Sequence, residues 1–568
     1  MKRSLSFVLI GLVSSVALAR SPKLAPDLEG ARGDARVNVI VQFKAPLDLR
    51  HHAVVRSKGG ALRAPLPLVR AGSYSIPAAA LEALAADPRV AYVSPDRAVR
   101  STLDYATAAA QVNGVSSTYG LDGSGIGVAV IDSGISDVTD LKNNYSSRIV
   151  YAKSFLSTGT QNDVYGHGTH VAGILGGNGK SSTGYGYTRT LKGVAGNVDF
   201  LNLRVLDNTG MGTDSAVIAA IQKAISLKST YNIRVINLSL GRAVRESFRT
   251  DPLCQAVEAA WQAGIVVVVA AGNEGRNNTL GTDGYGTIGS PGNDPFVITV
   301  GAAKTLRTMG RGDDVIASYS SKGPTSIDHI VKPDLVAAGN QIVSSYKPGA
   351  TLSTLYPQNI VPVGYYKSGG SNLPSQVYFT LSGTSMAAPV VSGAVALMLQ
   401  RTPSLTPDQV KARLMKTAYK SFPPISTTLD VLTNLLYTSH HDAFTIGAGY
   451  LDVAAALANQ DVFVGRALSP AAVLDRLTNT IHLAASDPLL SGGTAIWGDT
   501  AIWGDTAIWG DTAIWGDTAI WGDTAIWGDA LSNGFTAIWG DTAIWGDTAI
   551  WGDKIGAESV NVTVSGEN

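Results

Sequence analysis

Five short apolar segments, separated by helix-like stretches, most limit how this chain can fold. All five are mainly apolar, and three of them, 127–131, 265–271 and 296–300, show no polar alternation, which indicates strands buried on both faces. Apolar residues recur at helical spacing after Thr213, and residues 251–263 give a second helical pattern. Buried strands alternating with helices are typical of an α/β fold. We therefore predict a parallel sheet covered by helices from about residue 101 to 460, with strands at 127–131, 200–206, 235–240, 265–271 and 296–300.

A smaller unit precedes this domain. Residues 37–43 have apolar side chains at alternate positions, as a half-buried strand does. Two further strands are predicted at 72–76 and 89–93, and a helix at 78–86 lies between them. This order predicts a small α+β domain that begins near residue 37 and ends near Arg100.

The first residues have the pattern of an export signal. Lys2 and Arg3 precede an apolar run that closes in Ala-Leu-Ala at residues 17–19. A membrane anchor is the alternative, but the run is shorter than the roughly 20 apolar residues that a span needs. We predict a signal peptide at 1–19, no transmembrane anchor, and a protein secreted to the outside or to the cell surface.

The charge balance limits the possible partners of the protein, and the cysteine content limits how it can be stabilised. The chain has 44 basic and 44 acidic residues, a balance that argues against a nucleic-acid partner. Cys254 is the only cysteine of the chain, so an intramolecular disulfide is excluded, and it lies in a helix-like stretch where a small buried side chain is expected. Stability must therefore come from the core.

The C-terminal part is repetitive. Nine copies of Thr-Ala-Ile-Trp-Gly-Asp occupy residues 494–529 and 536–553, after a predicted linker at 461–493 and before an end segment at 554–568. An even period keeps each residue type on one face of an extended chain, so a β-solenoid and a flexible tail are both open. The tryptophans could stack on sugars, although packing on each other is the more common behaviour of repeated aromatic residues.

Three short motifs in the α/β domain carry residues that can do chemistry. Asp132 ends the first apolar strand, His167 stands among glycines in Gly-His-Gly-Thr-His, and Ser385 lies in Ser-Gly-Thr-Ser-Met-Ala-Ala-Pro at 382–389. Each has an ordinary structural explanation: a loop cap, a capping histidine and a tightly packed helix. Pro389 belongs near a first helical turn, which places Ser385 at a helix N-terminus.

Together the three motifs favour nucleophilic catalysis. A serine hydroxyl needs a base within hydrogen-bond reach, and the base needs a group that orients it. Asp132, His167 and Ser385 supply these three types. Asn273, in Ala-Ala-Gly-Asn at the end of another buried strand, could donate its side-chain amide to an oxyanion.

These four motifs, in this order, resemble the subtilisin-like serine proteases over about residues 101–460. The resemblance implies that Ser385 attacks a peptide carbonyl, His167 transfers the proton, Asp132 orients His167, and Asn273 binds the oxyanion. His170 is then structural. It also implies that the partners are protein or peptide substrates held by Ser239, Leu240, Gly241, Ala271 and Gly272, and that the chemistry requires no cofactor.

Residues 37–100 resemble the inhibitory propeptide of secreted members of this family, so that we predict a propeptide at 20–100. The resemblance implies that the propeptide helps the catalytic domain to fold, blocks it, and is removed by self-cleavage between Arg97 and Tyr105. We expect the mature enzyme to be a monomer. A protease-like scaffold that binds through the tryptophan repeats is the alternative function.

The sequence departs from the family in the loop at 176–191, which lacks the Asn-rich pattern of a structural calcium site. Asp137, Asp140 and Asp163 could still offer oxygen ligands, although solvated loop carboxylates are the favoured interpretation. A structural Ca²⁺ is therefore left open, and its ligands are unknown.

Overall fold

The structure is a computed structural model. It describes residues 35–475, apart from 67–69, 96–102, 145, 158, 280, 309 and 431–432, together with 480–484, 566–567 and isolated residues at 21, 23, 24, 28 and 33. The chain divides into two compact units, Met1–Arg100 and Ser101–Asn568. The predicted signal peptide and the hexapeptide repeats lie outside the described residues.

The first unit is a four-stranded antiparallel sheet with two helices. The strand order is β2-β3-β1-β4, and Val39, Val41 and Phe43 alternate into its core. One helix, Leu49–Ser57, and one strand, Ala61–Leu66, were not predicted from the sequence. The elements are β1 (Arg36–Phe43), α1 (Leu49–Ser57), β2 (Ala61–Leu66), β3 (Ala71–Pro77), α2 (Leu81–Ala85) and β4 (Val90–Pro95).

The second unit alternates strands and helices through most of its length. Its elements are α3 (Leu103–Ala109), α4 (Val115–Tyr119), β5 (Gly127–Asp132), β6 (Lys142–Asn143), β7 (Ser146–Ser147), β8 (Ile149–Ser154), α5 (His167–Gly176), β9 (Asp199–Arg204), α6 (Asp214–Ser226), β10 (Ile233–Leu238), α7 (Pro252–Gln262), β11 (Val266–Ala270), β12 (Ile298–Lys304), β13 (Val315–Ile316), β14 (Leu335–Ala338), β15 (Ile342–Ser345), α8 (Thr351–Leu355), β16 (Ile360–Pro362), β17 (Pro374–Leu381), α9 (Thr384–Arg401), α10 (Pro407–Thr417), β18 (Ile425–Leu429), β19 (Leu436–His440), α11 (Val453–Ala458), β20 (Ala471–Asp475) and β21 (Thr480–Ala484).

An eight-stranded sheet forms the centre of this unit. Its order is β13-β12-β11-β10-β5-β9-β8, with β14 also pairing with β12, and every pair except β12 with β13 is parallel. All residues of β5 and β11 are buried. The predicted α/β fold with a parallel sheet is therefore confirmed.

Helices pack on this sheet in two pairs, α5 with α9 and α6 with α7. The side chains of three residues cap helices of this unit: Thr213 caps α6, Asp251 caps α7, and Thr406 caps α10. α9 is buried along almost its whole length, and it contacts β10, β11, β12 and β14. Cys254 lies buried in α7, where the sequence predicts a packed side chain.

The predicted linker at 461–493 is wrong for the part that the structure describes. Ala467 and Ser469 are fully buried, and the backbone of Ala471 forms a bridge with Ile330. β20 then pairs with β21. The packed structure of the second unit therefore continues at least to residue 484. Among the described helices, none is both long and apolar enough to cross a membrane.

Candidate active site

Three of the candidate residues follow neighbouring strands of the large sheet. Asp132 is the last residue of β5, Ser239 comes directly after β10, and Asn273 lies shortly after β11. These strands are parallel and adjacent. Their carboxyl ends therefore meet at one edge of the sheet, where open α/β folds place their binding sites.

His167 opens α5 and contacts Asp132. His167 Nδ1 lies 2.8 Å from Asp132 Oδ1, which also accepts the Ser133 N–H at 2.7 Å. The Asp132 side chain is fully buried, whereas His167 is 16% exposed. Glycine at position 168 permits this approach, because a Cβ there would lie 2.1 Å from the Gly134 carbonyl oxygen. With the proton on Nδ1, Nε2 of the neutral ring can accept another.

The electrostatics around His167 favour its basic character. Burial acts to lower the pKa of His167, but the charge and hydrogen bond of Asp132, helped by the charge of Asp163, outweigh burial and raise that pKa above its ordinary value. A histidine with a raised pKa takes up a proton more readily, and its charged form is stabilised. The pair can therefore accept a proton from a nearby hydroxyl.

Asp163 supports this part of the site. Its carboxylate accepts the Ser133 Oγ–H at 2.8 Å, the Gly166 N–H at 2.7 Å, and the Thr169 N–H and Oγ–H at 2.7 and 2.6 Å. It therefore fixes the first turn of α5 beside His167. The interpretation of Asp163 as a solvated carboxylate is wrong. The available signal was an aspartate just before a helix, a position that favours capping.

The other two carboxylates considered for calcium are also engaged. Asp140 is buried, contrary to the favoured interpretation, and accepts the Ser181 N–H at 2.6 Å and the Tyr378 hydroxyl at 2.7 Å. Asp137 pairs with Lys142 at 2.8 Å. Protein donors thus contact both carboxylate oxygens of Asp140 and one of Asp137. Among the described residues, no group of three or more His, Cys, Asp or Glu side chains could hold a metal ion.

Ser385 is the second residue of α9. Gly383 at the N-cap has a φ of +138°, which favours glycine, and it lets the chain turn sharply from β17 into the helix. Of the first fifteen or so residues of α9, Ser385 alone is partly exposed. The helix thus presents this hydroxyl at its N-terminal end, where the helix dipole favours negative charge.

Pro389 lies deeper in α9 than predicted, one turn past Ser385, and its position affects the hydrogen bonding of the Ser385 carbonyl. Proline has no N–H, so the Ser385 carbonyl lacks its helical donor. The Ser239 hydroxyl donates to that carbonyl instead, at 2.8 Å, while the Ser385 hydroxyl donates to the Ser239 carbonyl at 3.1 Å. The single hydroxyl proton of Ser385 is thus given to the Ser239 carbonyl, and its transfer to His167 needs this hydrogen bond to break.

Asn273 is held against the start of α9. Its Oδ1 accepts the Thr384 N–H at 2.9 Å and the Thr384 hydroxyl at 3.1 Å, and Thr384 Oγ1 accepts the Gly272 N–H at 3.1 Å. Thr384 thus fixes the side-chain oxygen of Asn273, and the Nδ2 amide group is the one that can donate to a substrate oxygen. Thr384 is therefore a positioning residue that the sequence reasoning missed, although it stands next to Ser385 in the motif.

The predicted substrate-binding residues lie around this edge. Ser239 is buried, Leu240 is half-buried and Gly241 is exposed, and Arg242 forms a two-way backbone bridge with Ser290 at 2.9 and 2.8 Å. On the neighbouring strand, Ala271 is buried and accepts the Gly289 N–H at 3.0 Å, and Gly272 has a φ of +110°. Residues 289–290 thus line the space between the two predicted segments, a contribution that no local motif indicates.

His170 is buried one turn into α5. Its Nε2 lies 3.1 Å from the Ile342 carbonyl oxygen and 3.0 Å from that of Phe379. Burial, with the nearby His167, lowers the pKa of His170 to about 3. A neutral histidine that joins two strands agrees with the predicted structural role.

A protein-family model and several known proteins that are similar in sequence to this chain all point to one family. The family described as "Subtilase family" matches residues 123–449. Serine protease AprX of Bacillus subtilis (strain 168) is 34% identical over 392 residues, which are 67% of this chain and 82% of that protein. Subtilisin DY of Bacillus licheniformis is 34% identical over 59% of this chain and 92% of its own length. An extracellular serine proteinase of Thermus sp. (strain Rt41A) is 32% identical over 61% of this chain and 70% of that protein.

Proposed function

Because this chain belongs to the subtilase family of serine endopeptidases, we propose that it cleaves protein substrates through Asp132, His167 and Ser385. The observation that carries this proposal is the buried contact between Asp132 and His167, 2.8 Å long, in a unit where α5 packs against the helix that carries Ser385. The pair supplies an oriented base, and α9 supplies a partly exposed hydroxyl.

The proposed reaction begins when the Ser385 hydroxyl turns from the Ser239 carbonyl towards His167. His167 takes the proton as Ser385 attacks the peptide carbonyl, and Asp132 stabilises the charged ring without accepting its proton. Asn273 Nδ2 and the Ser385 N–H donate to the oxyanion. His167 then protonates the leaving amine, and water releases the acyl group by the same steps. Each step is assigned to the protein, so this chemistry requires no cofactor.

Substrate binding would use the two segments that flank the site. The extended residues Ser239, Leu240 and Gly241 can pair with a substrate backbone as an added strand, a mode that reads shape more than sequence. Ala271 and Gly272 would form the facing wall. We therefore propose a broad preference for extended segments of unfolded or flexible protein.

We further propose that the enzyme is a secreted monomer made as a zymogen. The export pattern at residues 1–19 and the separate compact unit Met1–Arg100, which precedes the catalytic unit, support this. The first unit would act as an intramolecular inhibitor until cleavage between Arg97 and Tyr105. N-terminal sequencing of the secreted protein tests the proposal, and a mature N-terminus before Gly72 would contradict it.

Labelling with a fluorophosphonate probe tests the catalytic assignment. The processed wild type should react, Ser385→Ala should not, and Ser215→Ala, which removes an exposed hydroxyl on α6, should react like the wild type. Equal labelling of Ser385→Ala, or none of the processed wild type, would instead favour a protease-like scaffold that binds through its repeats.

A further inference from the structure

The C-terminal end of the chain lies against the catalytic unit. Gly566 and Glu567 are the described residues beyond position 484, and the Glu567 side chain is only 3% exposed. A carboxylate at a chain end is normally solvated, and burying it is costly unless it is paired and hydrogen-bonded. The surroundings of Glu567 must therefore provide specific partners.

Four groups contact the Glu567 carboxylate. Arg276 Nη2 lies 2.7 Å from Oε2, and Lys304 Nζ lies 3.3 Å from Oε1. Ser318 donates its N–H to Oε1 at 2.7 Å and its hydroxyl to Oε2. Both oxygens thus meet a cation and a neutral donor, as a site built for a carboxylate would provide.

The backbone of Glu567 is recognised as well. Asn340 accepts the Glu567 N–H at 3.0 Å and donates its amide to the Glu567 carbonyl at 2.7 Å. Gly566 has a φ of +74°, and a Cβ there would lie 2.5 Å from Gln341 Cγ and 2.7 Å from Ser382 Oγ. Position 566 therefore favours glycine, and the surroundings of position 567 match a carboxylate. Arg276, Lys304, Ser318 and Asn340 are called the C-terminal site below.

Charge balance supports the match between this site and its occupant. The two cations are almost completely buried, and Arg276 also contacts Asp430 at 2.6 Å. Glu567 brings a second carboxylate, so two positive charges face two negative ones. Removing one member of such a buried group is strongly destabilising, because it leaves a charge without compensation.

The C-terminal site also adjoins the segment before the proposed nucleophile. The Gly383 N–H donates to the Gly339 carbonyl at 2.8 Å, and the Gln341 N–H donates to Ser382 Oγ at 2.8 Å. The turn at 339–341 thus binds Glu567 through Asn340 on one side and the residues before α9 on the other.

We infer that the C-terminal site is a recognition site for the chain's own Gly566-Glu567 end, which docks there in cis. The start of β20 is joined to the same unit by two backbone hydrogen bonds of 2.8 Å, in which the Val331 N–H donates to the Pro470 carbonyl and the Ala472 N–H donates to the His329 carbonyl. The described residues that precede and follow positions 485–565 therefore both contact this unit. Docking stabilises the turn at 339–341.

Amide hydrogen exchange of the full chain tests this, in a Ser385→Ala background that prevents self-digestion and makes the result independent of the proposed function. The Ser318 amide should exchange about tenfold or more faster in Glu567→Gln, because a hydrogen bond to a charged group is lost. Glu558→Gln, which makes the same change of charge in the same tail, should leave that amide unchanged. Equal exchange rates in the two variants would overturn the inference.

A second variant covers the case in which glutamine still docks. Deleting residues 566–568 should also release the Ser318 amide, and a synthetic peptide of residues 564–568, Val-Ser-Gly-Glu-Asn, should restore its protection. The peptide with glutamine in place of glutamate should restore at least tenfold less. Unchanged Ser318 protection after the deletion, or equal rescue by the two peptides, would contradict a carboxylate-specific site.

Discussion

Ser239 and Ser385 exchange two hydrogen bonds, each hydroxyl donating to the other residue's carbonyl, at 2.8 and 3.1 Å. The first bond compensates the gap that Pro389 leaves in the hydrogen bonding of α9. The second bond engages the hydroxyl of Ser385, the proposed nucleophile. Ser239 is therefore tied to the helix that carries Ser385 as well as to the predicted substrate strand.

Removing the Ser239 hydroxyl should destabilise the protein through the carbonyl that it leaves unpaired. In a Ser385→Ala background, we expect Ser239→Ala to lower the free energy of unfolding by about 1–3 kcal/mol. Pro389→Ala returns an N–H to α9, so the cost of Ser239→Ala should be smaller in that variant. Urea unfolding of the four proteins measures the difference, and an equal cost with and without Pro389 would show that proline plays no part.

The raised pKa of His167 predicts the acid limit of activity. The proposed mechanism needs the neutral ring, and a raised pKa keeps the ring protonated to a higher pH. The kcat/KM should therefore fall on the acid side at a pH above about 6.5, the ordinary histidine value. Asp132→Asn should lower kcat by about 10⁴-fold and move the remaining acid limb to lower pH. If the acid side of the pH profile did not shift in Asp132→Asn, the titration would belong to a group other than His167.

Local signals explain which parts of the fold the sequence predicts. The helices predicted after Thr213 and at 251–263 are present, because their signals are local: the caps Thr213 and Asp251 act on N–H groups within three residues of themselves. The pairing of Ala471 with Ile330 was missed because it joins segments far apart in the chain. The hairpin of β18 and β19 was missed since its strands are only partly buried.

The same difference between local and long-range signals applies to the candidate site. Its residue types stand in short motifs, so Asp132, His167, Asn273 and Ser385 could be proposed from the sequence. The contacts that hold these four side chains in place could not be predicted from the sequence. A hydroxyl or carboxylate in a loop has many potential partners until the fold selects one. Thr384 against Asn273 is such a contact, and the four hydrogen bonds of Asp163 are another.

Asp163 should matter for stability, because asparagine in its place could not accept all four hydrogen bonds. We expect Asp163→Asn to lower the free energy of unfolding by about 1–3 kcal/mol or more, measured in the Ser385→Ala background. Asp137→Asn is the matched control, since Asp137 forms a half-exposed pair with Lys142, and it should cost about 1 kcal/mol or less. Similar costs for the two would mean that the network at the start of α5 contributes little.

Asn273 should act on the rate of the chemical step. Asn273→Leu removes the proposed oxyanion donor, which acts mainly in the transition state, so kcat should fall while KM changes little. We expect a loss of about 10²- to 10³-fold, which is the magnitude known for the oxyanion-hole asparagine of subtilisin itself. Steady-state kinetics on a peptide substrate, with the exposed Asn278→Ala as control, would measure it. A rise in KM at constant kcat would assign Asn273 to ground-state binding instead.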